Sequence, residues 1–170
     1  MENMKTDQKG FTLIEILVVV LIIGIIGTLA AVAVNAARSK ARDATRLSSV
    51  RQTQSALEDY YNELNTYPPG SGLPLGDSTQ SSCFGTNGFA SNCSSADRTF
   101  LRVVSGSIDK GLEGVVTCGE PARNAFCYSM LESGLTYGIS FELENGLPQV
   151  GLIAGINCAS PDGMKAVACN

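Results

Sequence analysis

Apolar and polar positions divide the chain into three stretches with different periods. Between residues 11 and 37 the only ionisable side chain is Glu15, and residues 16–34 are apolar except for Thr28. Wound as a helix, that run rises about 28 Å, enough to cross a bilayer hydrocarbon core of about 30 Å. A secretory signal peptide would carry a shorter apolar region of about 7 to 15 residues followed by a small-residue cleavage site. The run here is longer, although Ala30, Ala31, Ala33 and Ala36 offer positions that mimic such a site.

Past residue 37 the pattern turns amphipathic without a break. Ala41, Ala44, Leu47, Val50, Leu57, Tyr61 and Leu64 recur at helical spacing, with Arg42, Asp43, Arg46, Arg51, Gln54, Glu58 and Glu63 between them. No Gly or Pro interrupts residues 28–66, so one helix is expected from 11 to 65, about 80 Å long and stopped by Pro68 and Pro69. Its second half should bury the apolar stripe. Tyr60, Tyr61 and Tyr67 read as core packing rather than as an aromatic conduit.

The remainder has a different character. Residues 71–98 are rich in Gly, Ser and Asn with little periodicity, which predicts a long loop closed by cysteines. Asn92-Cys93-Ser94 matches a glycosylation sequon inside it, but Cys93 is needed for a bridge. Residues 100–104 and 125–131 are short apolar runs. Tyr137, Ile139, Phe141 and Leu143 alternate with Gly138, Ser140, Glu142 and Glu144, which predicts a strand with one buried face. Asn145-Gly146 predicts a tight hairpin turn, and residues 147–154 the return strand, with Pro148 holding it near a sheet edge.

Composition narrows the function classes. The formal net charge is -4 and the sequence pI about 4.8, so no electrostatic footprint for nucleic-acid phosphates exists and no direct nucleic-acid binding is indicated. The chain has no histidine, which excludes Ser-His and Cys-His nucleophile arrangements, and it has no phosphate-cradling Gly loop. Neither an enzyme nor a cofactor is expected. Cys83, Cys93, Cys118, Cys127, Cys158 and Cys169 all lie in the second half, with no C-x-x-C pair and with spacings foreign to zinc ribbons. They read as disulfides in an exported, oxidised domain rather than as metal ligands. Asp77, Asp97, Asp109 and Asp162 are dispersed and form no EF-hand-like loop, which leaves calcium an open question with no metal site assigned. Lys5 and Lys9 precede the apolar run while Arg38, Lys40, Arg42 and Arg46 follow it; basic residues alone would leave the second half in the cytoplasm, against the cysteines.

The junction KGFTLIEILVVVLIIGIIG, residues 9–27, resembles the prepilin signal of type IV pilins and type II secretion pseudopilins. The features that carry the resemblance are a basic Lys9, Gly10 before Phe11, the lone Glu15 and an uninterrupted apolar helix. The resemblance implies that a membrane aspartyl peptidase cuts between Gly10 and Phe11 and that the new amine of Phe11 is methylated. It also implies that Glu15 pairs with the amine of a neighbouring subunit and sets axial register. Each position has a physical rationale. Gly10 lets extended backbone enter a peptidase at the membrane face, and an ionised Glu15 inside the span is costly unless a cation meets it at the same depth. One departure is Val32, which stands where type IV pilins commonly carry a helix-breaking proline. Gly24, Gly27 and Thr28 remain as weak points in the helix.

The implied fold is α+β, the type IV pilin fold: a long N-terminal helix with a protruding apolar half and an amphipathic half packed on a small antiparallel sheet, with disulfide-tied loops. The expected division is a leader at 1–10, a transmembrane and filament-core helix at 11–37, its amphipathic continuation at 38–67, and a globular head at 68–170. Within the head, a variable loop occupies 70–99 and a sheet 100–156. Expected partners are identical subunits in a helical homopolymer, a prepilin peptidase, an inner-membrane assembly platform, and the membrane itself before assembly. The product would move from the cytoplasmic membrane, as a single-pass precursor, to an extracellular filament serving adhesion, twitching motility or DNA uptake. A type II secretion pseudopilin fits the same signal, and a permanently anchored extracytoplasmic binding protein is the alternative from another class.

Six cysteines allow fifteen formal pairings. Short separations bracketing turn-rich segments favour Cys83 with Cys93, Cys118 with Cys127 and Cys158 with Cys169. The last loop resembles the carboxyl-terminal disulfide loop of many pilins.

Overall fold

Residues 10–169 are described by the computed structural model. Residues 1–9, which hold Lys5, Lys9 and all but the last residue of the leader expected at 1–10, lie outside the described residues. The chain falls into two units that divide between Arg38 and Ser39.

The first unit is the start of helix α1, Leu13–Leu64, and every residue from 10 to 38 is exposed. The helix is long and apolar enough to cross a membrane. The helix runs unbroken through Gly24, Gly27 and Thr28, where the Thr28 hydroxyl donates to the Ile25 carbonyl at 2.8 Å. At its other end Asn65 adopts φ 54° and its N–H donates to the Tyr61 carbonyl at 2.8 Å. An Asn in left-handed conformation is an ordinary helix stop, and Pro68 and Pro69 prevent any resumption.

In the second unit the helix packs on an antiparallel sheet of five strands in the order β1-β7-β8-β9-β10: β1 Leu73–Pro74, β7 Cys127–Leu131, β8 Thr136–Leu143, β9 Gly155–Ser160 and β10 Gly163–Lys165. A three-stranded sheet joins β2 Cys83–Gly85, β3 Gly88–Ala90 and β4 Thr99–Leu101, and a two-stranded ribbon joins β5 Thr117–Cys118 with β6 Arg123–Asn124. The α+β class and the antiparallel sheet agree with the sequence reading. Tyr137, Ile139, Phe141 and Leu143 are all buried and meet Val50, Leu57 and Tyr60 of the helix in one core. Tyr60 and Tyr67 are buried there, and the ring of Tyr67 lies edge-on to Tyr137 with centroids 4.6 Å apart.

Several expectations need correction. The helical stripe is rotated: Ala41 and Ala44 are exposed, Tyr61 is only half-buried and Leu64 is exposed, while Asp43, Arg46, Thr53, Ala56 and Tyr60 are buried with Leu47, Val50 and Leu57. A partnered ion pair takes the buried phase that the small alanines leave. The segment expected as a loop at 70–99 carries β1, β2 and β3, stabilised by pairing across Phe84 and Phe89, whose rings stack at 4.5 Å. The return strand expected at 147–154 does not form. Pro148 begins a single 3-10 turn at Pro148–Val150, Leu147 meets Leu152 in an isolated bridge, and the strand that returns along β8 is β9, which runs past the end of the 100–156 window. Asn145-Gly146 therefore opens a longer connection. Gly146, at φ 70°, packs against the backbone of Ile153 and Ala154, where a side chain has no room.

Candidate functional site

Thr12 precedes the first helical residue, and its backbone N–H and hydroxyl donate to Glu15 Oε2 at 2.8 and 2.7 Å. The Glu15 N–H in turn points to the Thr12 hydroxyl at 3.3 Å. This reciprocal Thr-x-x-Glu arrangement is a capping box, which satisfies otherwise orphaned N–H groups at a helix start and places a carboxylate at the positive end of the helix dipole. The spacing that the sequence offers as a processing signal thus also starts the helix. Gly10 and Phe11 lie just ahead of it in non-helical backbone, Phe11 is 83% exposed, and among the described residues no atom crowds Gly10 within 4 Å of where a side chain would begin. Gly10, Phe11 and Glu15 are thereby gathered around the first turn of the helix. Among the described residues Glu15 meets Thr12 and no cation.

The sequence-predicted disulfide residues are brought together as neighbours in sequence: Cys83 with Cys93, Cys118 with Cys127 and Cys158 with Cys169, at Cα separations of 5.9, 5.5 and 5.1 Å. The first ties β2 to the loop between β3 and β4, the second joins β5 to β7, and the third fastens the segment after β10 to β9. Gly138 of β8 lies against Cys169, where a Cβ would meet the cysteine at 2.7 Å. Asp77 is occupied by its own surroundings, forming an ion pair with Arg123 and accepting from Thr79, whose hydrogen bonds hold its carboxyl below the usual range. The Asn92 side chain accepts from the Ser94 N–H and hydroxyl at 3.3 and 2.6 Å.

A second constellation lies outside the expectations from sequence. Arg46 is fully buried; its guanidinium reaches Asp43 at 2.9 Å and Glu144 at 2.7 Å and donates to the carbonyls of Ile108 and Lys110. Arg42 adds a second cation on Glu144, each of two nitrogens at 2.6 Å. Asp43 accepts from the N–H groups of Glu144 and Asn145, both at 2.8 Å. The Arg42 hydrogen bonds, with Arg46 behind them, hold the Glu144 carboxyl down at about 2, and Glu144 raises Arg42 in return. Glu142 sits beneath the 113–115 loop and takes N–H bonds from Glu113, Gly114 and Val115. A signal for the first group exists: Asp43 lies one heptad before Val50 and two before Leu57, on the buried phase.

Residues 5–31 match the family model described as the prokaryotic N-terminal methylation motif. No curated protein and no solved structure matches the chain. The matched span includes Gly10, Phe11, Thr12, Glu15 and most of the exposed apolar helix.

Proposed function

Starting from a chain that carries a prepilin-type signal shared by type IV pilins and pseudopilins, we propose that it is the structural subunit of a type IV pilus filament, a major pilin. The observation that carries this reading is the coincidence of the methylation motif with a helix start whose carboxylate lacks a cation among the described residues and whose apolar side chains are all exposed. A lipid bilayer satisfies those side chains first. Afterwards a bundle of the same helices from other subunits replaces the lipid, because both environments are apolar and the bundle also brings a neighbour's cation to the depth of Glu15. Cleavage between Gly10 and Phe11 creates that cation, an α-amine near the position of the capping box. The amine of a neighbouring subunit, offset along the axis, reaches Glu15 with better geometry than its own. The three disulfides suit a head that leaves the cell, since cross-links limit the unfolded ensemble in the absence of chaperones.

Electron microscopy of the cell surface with an antibody against the head tests the proposal. Long filaments labelled along their length are expected. Loss of protein secretion without any surface filament on deleting the chain would assign it to a type II pseudopilus instead, and label confined to the cell membrane would leave a permanently anchored protein.

A further inference from the structure

The helix face turned away from the sheet carries charges of both signs that its own head does not neutralise. Of the charged residues on the helix in the second unit, Arg42, Asp43 and Arg46 are tied up with Glu144, Glu58 accepts from Tyr67 and Tyr137, and Glu63 is held by Arg98 at 2.8 Å. Lys40, Arg51 and Asp59 are exposed and, among the described residues, have no such partner. Arg51 and Asp59 stand about 12 Å apart along the axis and about 80° apart around it, so they mark opposite flanks of the exposed face. Between the flanks lie the small exposed side chains of Ala44, Ser48 and Ser55, which permit close approach of another helix. Arg51 also borders a shallow groove of about 460 Å³ with Leu47 and Leu147 in its walls, so a neighbour seated there would shield the guanidinium from water.

We infer that this face is a staggered self-docking surface, in which Arg51 of one subunit pairs with Asp59 of a second copy of the chain shifted by about 12 Å along the helix axis. The inference rests on the polymerisation reading above and adds to it a register contact in the head. The geometry favours a second copy over a foreign partner because both halves of the complementary pair lie on one helix. Subunits assembled from one membrane through the same helix end run parallel, which rules out the reciprocal antiparallel pairing of a closed dimer. The two flanks are different surfaces, so the contact is heterologous and leaves an unused flank at each end, which lets it propagate as a helical array. Lys40 is a poor alternative partner for Asp59, since matching them requires a stagger of about 28 Å and forgoes most of the face.

Charge reversal tests the pairing in cells that carry the full chain. Arg51→Glu and Asp59→Arg are each expected to lower surface filament yield by about tenfold, because attraction becomes like-charge repulsion at every subunit contact, and the double reversal restores it. In a second measurement, Arg51→Lys filaments treated with a zero-length carbodiimide yield a peptide in which the new amine at position 51 is joined to Asp59 of another subunit. Unchanged yield in the single reversals, failure of the double to recover, or absence of that cross-linked peptide from filaments overturns the inference while leaving polymerisation standing. Absence of filaments in the wild type overturns the polymerisation reading itself.

Discussion

Glu15 and Glu144 are both carboxylates beside apolar stretches, yet among the described residues only Glu144 meets a cation. Glu144 takes two arginines at 2.6 and 2.7 Å and its side chain is 8% exposed, whereas Glu15 relies on the hydroxyl and N–H of Thr12 in a segment with no buried residue. In residues 39–169 even buried charges are partnered: Arg46 has two carboxylates and two carbonyls, and Glu142 has three backbone N–H groups. The interior of that region is satisfied by its own chain, and the helix charges left over, Lys40, Arg51 and Asp59, lie on its surface. Residues 11–38 are all exposed, and under the proposed reading lipid and then other subunits cover them. The contrast teaches where to look for assembly: in the charges and apolar surface that intramolecular folding has left over.

The largest expected effect follows from removing the unneutralised charge. Glu15→Ala should still insert in the membrane, since it deletes a charge from the span, but surface filaments should disappear while the thermal melting of the detergent-solubilised chain stays unchanged. Filaments of normal number would break the comparison at its first half. Arg46→Ala inverts the pattern. It leaves buried Asp43 without its cation and Glu144 with Arg42 alone, and should cost the head about 3 to 5 kcal/mol, seen as a lowered denaturation midpoint and faster proteolysis past residue 39.

How far these regions can be read in advance differs for a physical reason. The junction Gly10-Phe11, Glu15 and the apolar helix are local patterns, and local sequence decides them. The neighbouring cysteine pairs follow loop length, again a short-range property. Asp43 and Arg46 read as solvent-facing because their burial depends on Glu144 and on the carbonyls of Ile108 and Lys110, all more than sixty residues away in sequence. The return strand is misplaced by the local pattern because Asn145-Gly146 fits a two-residue turn, while Pro148 and the Leu147–Leu152 bridge postpone pairing until Gly155. Likewise Phe84 and Phe89 look like isolated apolar residues in a Gly and Ser rich loop until their stacking is seen.

Acid sharpens the comparison further. Arg42 and Arg46 depress the Glu144 carboxyl from 4.5 to about 2, so the carboxylate binds fewer protons folded than unfolded. Its stabilising contribution is then complete above pH 4.5 and is lost as pH falls towards 2. Melting temperature measured across that window should fall in the wild type and flatten in Glu144→Gln, which starts from a lower stability. A wild-type profile without that fall would contradict the account of the cluster. The smallest effect is expected from Thr12→Ala. Loss of the cap should weaken the helix start by about 1 kcal/mol, detectable as faster amide exchange over residues 12–16 with no change past residue 39.

Whether residues 11–38 serve assembly after processing at the Gly10-Phe11 bond is decided by intact-mass and amino-terminal peptide analysis of material sheared from cells. A chain beginning at N-methylated Phe11 and carrying three intact disulfides is the expected result. Sheared filaments whose subunits still retain residues 1–10 would contradict it.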